Sequence, residues 1–518
     1  MGSSINLTDV GTKLTGGDLT DQRNWVADLL DRKNTSFPGA QPVSFARHHI
    51  EELQHHDYFM CEKTDGIRCL MYLTQYVDQT GVHEAQFLVD RKNDYYFIPG
   101  GTLHIPPPPE ANPTASSDPT TTPPFDLHRF HTGTLLDGEL VLQTRPYSAP
   151  RLTYLMFDIL ALDGECIMRK TFNKRLVRLQ QGVWRPYRKF TERYPSDASA
   201  QPFDIEMKVL EFPYAAEVMF HVKIPALPHG NDGLIFTCVE TEYHAGTDEK
   251  ILKWKPPKEN TVDFRIELRS FPHITDEDSG EDYEDWDAMP DIELQINHGD
   301  RHGEGYKYYA MLSLLPAEWS ALKRLHQPLD GRILECYREP SSGQWRPKLD
   351  PIVYGRGEPA VLTPRFRDDK TESNHISTVR SVEQSIRDAV SEGDLIAHAG
   401  VIRAGYKARL QIKTEEERVL AERAKAAAAA AAAVAVAAGE KRKREEGGAV
   451  ARGQEGVGTL GSKRQVVGTE RVREAVQVKR SEEEEDDDGP RPILEALGSW
   501  SAWSGRHRRR WRAAGRLY

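Results

Sequence analysis

A lysine set in a tight turn between two apolar segments is the feature that most restricts how this chain can fold. Tyr58-Phe59-Met60 precedes it, and Ile67, Leu70, Met71, Tyr72 and Leu73 follow it. Both segments read as buried strands, aromatic and aliphatic over a strand's length. Between them Asp65-Gly66 is turn chemistry, so the chain presents Lys63 at a strand-to-strand bend. A lysine placed in this way is either a solvated turn charge or a nucleophile. The rest of the chain distinguishes the two.

The 518 residues are enough for two or three domains and a sizeable core. A mean hydropathy of −0.61 is low for an enzyme, which points to polar tails diluting a folded part. The formal net charge of −11 is concentrated in Asp276–Asp291 and Glu482–Asp488, so it does not argue against a nucleotide or nucleic-acid partner elsewhere on the surface. Five scattered cysteines without C-x-x-C spacing argue against a zinc site or a disulfide framework and fit a reducing compartment. The alanine run at 426–433 is too short and too weakly hydrophobic to cross a membrane. The chain starts without a signal-peptide pattern, and Asn6 stands where a myristoylation signal needs Ser or Thr. These features predict a soluble intracellular chain with no membrane partner.

Three regions follow from the pattern along the chain. Residues 1–262 open with an amphipathic helix over Asp18–Leu30 and a Pro/Gly link at Phe37–Pro42. Strand-like runs come next (Phe87–Val89, Leu140–Leu142, Leu152–Leu160, Leu234–Cys238), with helical periodicity near 171–181 and 207–220 and a Pro/Thr/Ser-rich loop at 105–125. Residues 263–406 begin with short alternating runs that predict a small β-barrel, with the acidic 272–291 stretch as a loop. A helix then runs through Ile376, Val379, Val382, Ile386 and Val390, with Asn374 as its N-cap. From 407 to 518 the chain is read as a mostly disordered tail. Within it Glu415–Ala438 has high helix propensity but no apolar stripe, and Lys441-Arg442-Lys443-Arg444 reads as a nuclear import signal or a solvated charge run. The end, Trp500–Tyr518, mixes Trp with Arg, a composition that can grip RNA, although an unstructured end is the simpler reading.

Seven charged blocks occur in order, each joined to an apolar strand. They are KTDGIR (63–68), DRKNDYYF (90–97), LLDGEL (135–140), YLMFDIL (154–160), NDGLIF (231–236), LKWKPP (252–257) and RFRDDK (365–370). Singly each has a bland alternative as a turn or an edge strand. A lysine that attacks a phosphate must be neutral, which burial or neighbouring cations promote. Lys253 and Lys255 alternate about Trp254 on one strand, where they would both disfavour protonation of Lys63 and neutralise a triphosphate. Glu139 and Asp232 end apolar strands, a natural place for metal or ribose contacts, and Phe157 is placed either to stack on a purine or to fill the core.

The order of these blocks resembles the covalent nucleotidyltransferase superfamily, the mRNA capping enzymes and polynucleotide ligases, over about residues 40–405. Within it the chain most resembles the fungal mRNA guanylyltransferases, the alpha subunits of capping enzymes. RFRDDK has their R-x-R-x-D-K form, and DGLIF and LKWKPP their capping-type form. The resemblance implies an α+β fold: an ATP-grasp-like ligase domain of antiparallel sheets with helices, then an OB-fold β-barrel, then the disordered tail. It implies that Lys63 attacks the α-phosphate of GTP, forms lysyl-GMP and passes GMP to a 5′-diphosphate RNA end.

By the same resemblance Arg68 and Arg91 contact ribose, phosphate or the RNA end, and Glu139 the ribose. Phe157 stacks on guanine, while Asp232, Lys253 and Lys255 line the nucleotide. Asp263 helps bind Mg²⁺ or Mn²⁺. Arg365 and Arg367, with Asp368 and Lys370, close over the pyrophosphate. The implied partners are a separate RNA 5′-triphosphatase (beta) subunit and the phosphorylated C-terminal tail of RNA polymerase II, in the nucleus. A fused triphosphatase is not expected, because Cys61 and Arg68 are one residue too far apart for a Cys-x5-Arg loop. One departure stands out. Trp345 and Arg365 are separated by residues 349–364, an extra loop or a retained intron, where the family keeps them a few residues apart. The alternatives are an ATP- or NAD-dependent ligase and a non-catalytic RNA- or polymerase-binding relative. All the reactive residues remain, which counts against the last.

Overall fold

The computed structural model describes residues 5–98, 101–109, 128–146, 148–275, 280–299, 305–352 and 361–450. Met1–Ile402 form one compact unit and Arg403–Tyr518 a second. The first unit is α+β and is built on two sheets followed by a third.

The larger sheet orders Thr12–Lys13, Tyr95–Ile98, Gly81–Val89, Ile67–Asp78, Thr134–Gln143, Arg151–Leu162 and Asp204–Met207, with Glu165–Cys166 as a side branch. Its pairings are antiparallel except the last, Asp204–Met207 on Arg151–Leu162. Period-2 alternation sends Cys69, Met71 and Leu73 to one face and Leu70 and Tyr72 to the other, and both faces are buried. The first face packs on Leu179, Val183, Tyr187 and Phe190, and the second on Val26 and Leu30 at the end of the helix Gly16–Leu29. That double burial explains why these strands read as nearly continuous apolar runs.

The second sheet orders Ala40–Ser44, Gly246–Trp254, Asn231–Cys238 and Tyr58–Thr64. The two strands around Lys63 therefore belong to different sheets and do not pair with each other. Asp65-Gly66 is the crossing between the sheets rather than a surface hairpin. A Cβ on Gly66 would stand 2.6 Å from the Leu140 carbonyl oxygen, so only glycine fits this crossing. The second sheet packs on the helix His49–His55 and on Val390, Leu395 and Ile402.

The third sheet orders Tyr306–Met311, Ile292–Asn297, Thr261–Leu268, Ile333–Arg338 and Trp345–Pro347, all antiparallel. The barrel expected here appears as an open ladder among the described residues. One bridge, Leu312 to Trp345, joins the two ends of the sheet without closing it. Phe264, Leu294, Leu334 and Trp345 form its core with the helices Pro316–Lys323 and Ile376–Arg387.

Several local expectations change. The helix over 376–387 is capped by His375, whose ring nitrogen accepts from the Ser377 N–H; Asn374 instead accepts the Asp263 N–H at 3.0 Å. The helical pattern near 207–220 holds from Pro213, where the contiguous helical segments Pro213–Ala215, Ala216–Val218, Met219–Lys223 and Ile224–Ala226 begin, whereas Met207 ends the strand Asp204–Met207. The stretch 349–364 is a hairpin whose arms Leu349–Ile352 and Val361–Pro364 pair, 353–360 lying outside the described residues. The acidic 272–291 stretch carries a small hairpin, His273–Thr275 with Asp282–Glu284. In the tail, 407–450 belong to the helix Glu392–Val450, in keeping with the helix propensity read over Glu415–Ala438. Alanine-rich sequence and local pairs such as Arg418 with Glu415 and Glu422 suffice for it without an apolar face. Most of the loop expected at 105–125, the acidic run Glu482–Asp488 and the end Trp500–Tyr518 lie outside the described residues.

Candidate functional site

Lys63 lies on the last turn of the Tyr58–Thr64 strand, opposite Gly233 in the neighbouring strand. A bulge at Asn231/Gly233 turns Asp232 out of the ladder toward it. Gly233 permits the bulge: its φ is +150°, and a Cβ there would lie 2.0 Å from the Trp254 carbonyl oxygen. Asp232 then bridges two lysines, accepting from Lys63 Nζ at 2.6 Å through Oδ1 and pairing with Lys255 Nζ at 2.9 Å through Oδ2.

Lys253 lies on the same strand face as Lys255, and burial pushes its amine below its ordinary pKa, with Lys255, Lys63 and Arg91 adding to the effect. Among the described residues Lys253 has no acidic partner. The cluster thus gathers three lysines about the Asp232 carboxylate, with Arg91 near enough to act on Lys253, an arrangement suited to a polyanion. Lys253 is thus the lysine lowered by burial, and Lys63 pairs with Asp232.

Phe157 stands on the Arg151–Leu162 strand and is the one partly exposed position between Thr153 and Ala161. The Arg68 guanidinium is 5.6 Å from its ring centroid and Lys208 Nζ is 5.3 Å. Arg68 pairs in register with Glu139 across the ladder. Lys208 is buried and donates to Glu139 Oε2 and to the Glu62 carbonyl, each at 3.3 Å. Burial alone would lower its pKa, but Cys61, Glu139 and Glu62 together outweigh that and hold it above the ordinary value. Arg91 feels Arg68, Glu139 and Asp137, which ties this group to the lysine cluster.

Arg68 itself is largely engaged. Nε and Nη2 donate to the two oxygens of the buried Asp137 at 3.0 and 2.6 Å, and Nη1 donates to the Ala40 carbonyl. Asp137, Lys208 and Tyr243 were not singled out from the sequence. Asp137 was visible inside the DGE triplet, and Lys208 as a lone lysine between Met207 and Val209, whereas nothing local marks Tyr243.

The RFRDDK segment runs beside the third sheet, bridged to it at Leu334, and its cations find acidic partners on that sheet, on the inserted hairpin and in the segment itself. Arg365 N–H and C=O bond to Lys348 and Glu335, and Phe366 bridges Leu334. The Arg365 guanidinium makes a two-pronged pair with Asp350 of the inserted hairpin (Nε–Oδ2 2.7 Å, Nη2–Oδ1 2.5 Å) and reaches Glu335 at 3.2 Å. Arg367 pairs with Asp263 and Asp369 at 3.3 and 3.0 Å, Lys370 pairs with Asp263, and Asp368 pairs with Arg332 at 2.8 Å.

Asp263, expected as a metal ligand, is buried and occupied by these two cations. The reason is positional: it faces the RFRDDK segment from the neighbouring strand. Among the described residues no three His, Cys, Asp or Glu side chains gather as a metal cage. The described residues therefore do not form a protein-built metal cage.

The mRNA capping enzyme catalytic-domain family matches residues 7–257, and the mRNA capping enzyme C-terminal-domain family matches 259–396. The chain is similar to the mRNA-capping enzyme subunit alpha of Neurospora crassa, 42% identical over 405 residues, covering 76% of this chain and 92% of that one. It is similar to the proteins of the same description from Schizosaccharomyces pombe (37%, 74% and 84% covered) and Saccharomyces cerevisiae (36%, 76% and 85% covered). Among solved structures it is similar to a mycobacterial DNA ligase D complexed with ATP and MES, at TM-score 0.28 and 14% identity over 64% of this chain and 95% of that one.

Proposed function

This chain belongs to the mRNA capping enzyme family, and we propose that it is an mRNA guanylyltransferase with Lys63 as its nucleophile. The observation that carries this is Lys63 at the seam of two sheets, paired with Asp232 and surrounded by Lys253, Lys255 and Arg91. Lys63 Nζ would give up its proton, for which Asp232 Oδ1 is the nearest acceptor, and attack the α-phosphorus of GTP. The bond to the pyrophosphate oxygen breaks, leaving a lysyl-N–GMP phosphoramidate. The terminal oxygen of a 5′-diphosphate RNA then attacks the same phosphorus, and the lysine leaves as the GpppN end forms.

Lys253, Lys255 and Arg91 would neutralise the phosphates, the nucleotide replacing Asp232 as partner of Lys255. Phe157 would stack on the base, with Glu139 and the two free N–H groups of Arg68 at the ribose. Lys208, a charged donor beside that ring, suits the carbonyl that guanine carries and adenine lacks, which favours GTP over the ATP of a ligase. Arg365, Arg367 and Lys370 would exchange their acidic partners for the pyrophosphate as the third sheet closes. Mg²⁺ or Mn²⁺ would enter on the nucleotide's own oxygens.

A separate RNA 5′-triphosphatase (beta) subunit would supply the diphosphate end, in keeping with the "subunit alpha" description of the relatives. The phosphorylated tail of RNA polymerase II is the other partner proposed, and the nucleus the compartment, with Lys441–Arg444 as the import signal. Incubation with α-phosphate-labelled GTP or ATP tests the reading. Covalent label from GTP, lost in Lys63→Ala and removed by pyrophosphate, is expected. Label from ATP but not GTP, or label surviving in Lys63→Ala, would overturn it.

A further inference from the structure

A closed circuit of four hydrogen-bonding groups surrounds Arg68. The guanidinium donates through Nε to Asp137 Oδ1 and through Nη2 to Asp137 Oδ2. The Tyr243 hydroxyl donates to Asp137 Oδ2 at 2.6 Å and accepts the Ala40 N–H at 2.9 Å. The Ala40 carbonyl accepts from Arg68 Nη1 and completes the ring. Asp137 is fully buried and Tyr243 is 5% exposed. Burial and Asp137 hold the phenol protonated far above its usual range, so it stays a donor. An arginine has five N–H groups in a rigid plane, and the circuit uses three. The remaining two make none of these bonds, on a guanidinium 5.6 Å from the Phe157 ring centroid.

The circuit also spans the seam. Arg68 and Asp137 lie on neighbouring strands of the large sheet. Ala40 opens the strand that pairs in parallel with the Lys253 strand of the second sheet, and Tyr243 lies in the loop just before the Lys253 strand begins at Gly246. The Tyr243 segment is itself anchored. Arg175 lies 5.4 Å from the Tyr243 ring and donates to the Thr241 carbonyl while holding Asp158 with two bonds of 2.8 Å. Asp158 and Asp137 are register partners, so each of two adjacent buried carboxylates has its own arginine, with Tyr243 linking the two pairs.

We propose that Tyr243 is a positioning residue. Through Asp137 and Ala40 it fixes the orientation of the Arg68 guanidinium beside Phe157. This rests on the reading of Arg68 and Lys63 as nucleotide contacts. Removing the hydroxyl leaves Asp137 and the Ala40 N–H each one partner short and lets the arginine turn.

The test is lysyl-GMP formation by the full chain at varied GTP, with Tyr243→Phe and Asp137→Asn, each also made in an Arg68→Lys background, and thermal melting of every variant. Tyr243→Phe is expected to lower kcat/KM for lysyl-GMP about tenfold, mainly by raising KM. Its effect should vanish in the Arg68→Lys background, because the group it positions is gone. A Tyr243→Phe chain that melts lower but keeps its KM and kcat would overturn the proposal, as would the same tenfold loss in the Arg68→Lys background. Asp137→Asn behaving like Tyr243→Phe supports it. A wild-type chain that takes no label from GTP overturns the nucleotidyl-transfer reading and this proposal together, whereas a labelling wild type with an unaffected Tyr243→Phe overturns this proposal alone.

Discussion

Asp350→Ala should make this chain faster at forming lysyl-GMP. Asp350 lies on the inserted hairpin and holds Arg365 with two charge-assisted bonds of 2.7 and 2.5 Å. Those bonds, first among the causes, raise the Arg365 guanidinium further above its ordinary range. If Arg365 must turn to the pyrophosphate, it has to leave Asp350 first. The side chains are 35% and 37% exposed, so water screens the pair and its worth must be discounted to that of a well-formed surface bridge, about 1 kcal/mol. At room temperature that is about a fivefold change in the population of released Arg365. Glu335 at 3.2 Å remains as a second, weaker holder in the variant, which lowers the expected gain to roughly two- to fivefold in kcat/KM. Single-turnover labelling with GTP reads it directly, and the gain should shrink as added salt screens the wild-type pair. A gain of function cannot arise from misfolding, which makes the sign informative. The control is the cycle with Arg365→Ala: Asp350→Ala should do nothing once the arginine is absent. Unchanged or slower labelling in Asp350→Ala, or an equal gain without Arg365, would refute the competition.

Two further outcomes follow from local geometry. Gly233→Ala, with a Cβ forced to 2.0 Å from the Trp254 carbonyl at a φ of +150°, should cost at least 2 kcal/mol and displace Asp232, read as a lower Tm and weaker GTP labelling. Glu52 concerns acid stability. Burial would raise its carboxyl, but hydrogen bonds from Lys250 and Tyr58 outweigh this and leave it below its ordinary value. A depressed carboxyl contributes stability that is complete above its unfolded value near 4.5 and is lost as pH falls through the lower folded value. Melting curves from pH 6 down to pH 3 should therefore fall less steeply for Glu52→Gln than for the wild type, and an identical slope would contradict the assignment.

Much of this molecule is written locally. Strand-length apolar runs around Asp65-Gly66 require a turn there, and glycine is the only residue that fits at Gly66 and Gly233. The order of the charged blocks carries the family, because each block pairs a strand end with charge. The helix Gly16–Leu29 and the helix over 376–387 follow from period alone, although the cap moved by one residue to His375 once Asn374 was drawn to the Asp263 backbone. The helix through 407–450 was legible as the helix propensity of Glu415–Ala438, and it forms without an apolar stripe.

What the sequence could not contain is which charge meets which. Local spacing put Lys253 and Lys255 near Lys63, but only the bulge at Asn231/Gly233 placed Asp232 between two of them. Asp263 looked like a metal ligand until the third sheet set it against Arg367 and Lys370. Tyr243 is 106 residues from Asp137 and Lys208 is 69 from Glu139, separations across which no period or motif reaches. The chain's residue order determines strands, turns and the placement of Lys63 at a bend between them. The partners of buried charges come from sheet register and sheet-on-sheet packing, where desolvation requires a counter-ion for every buried charge and accepts whichever one the fold brings.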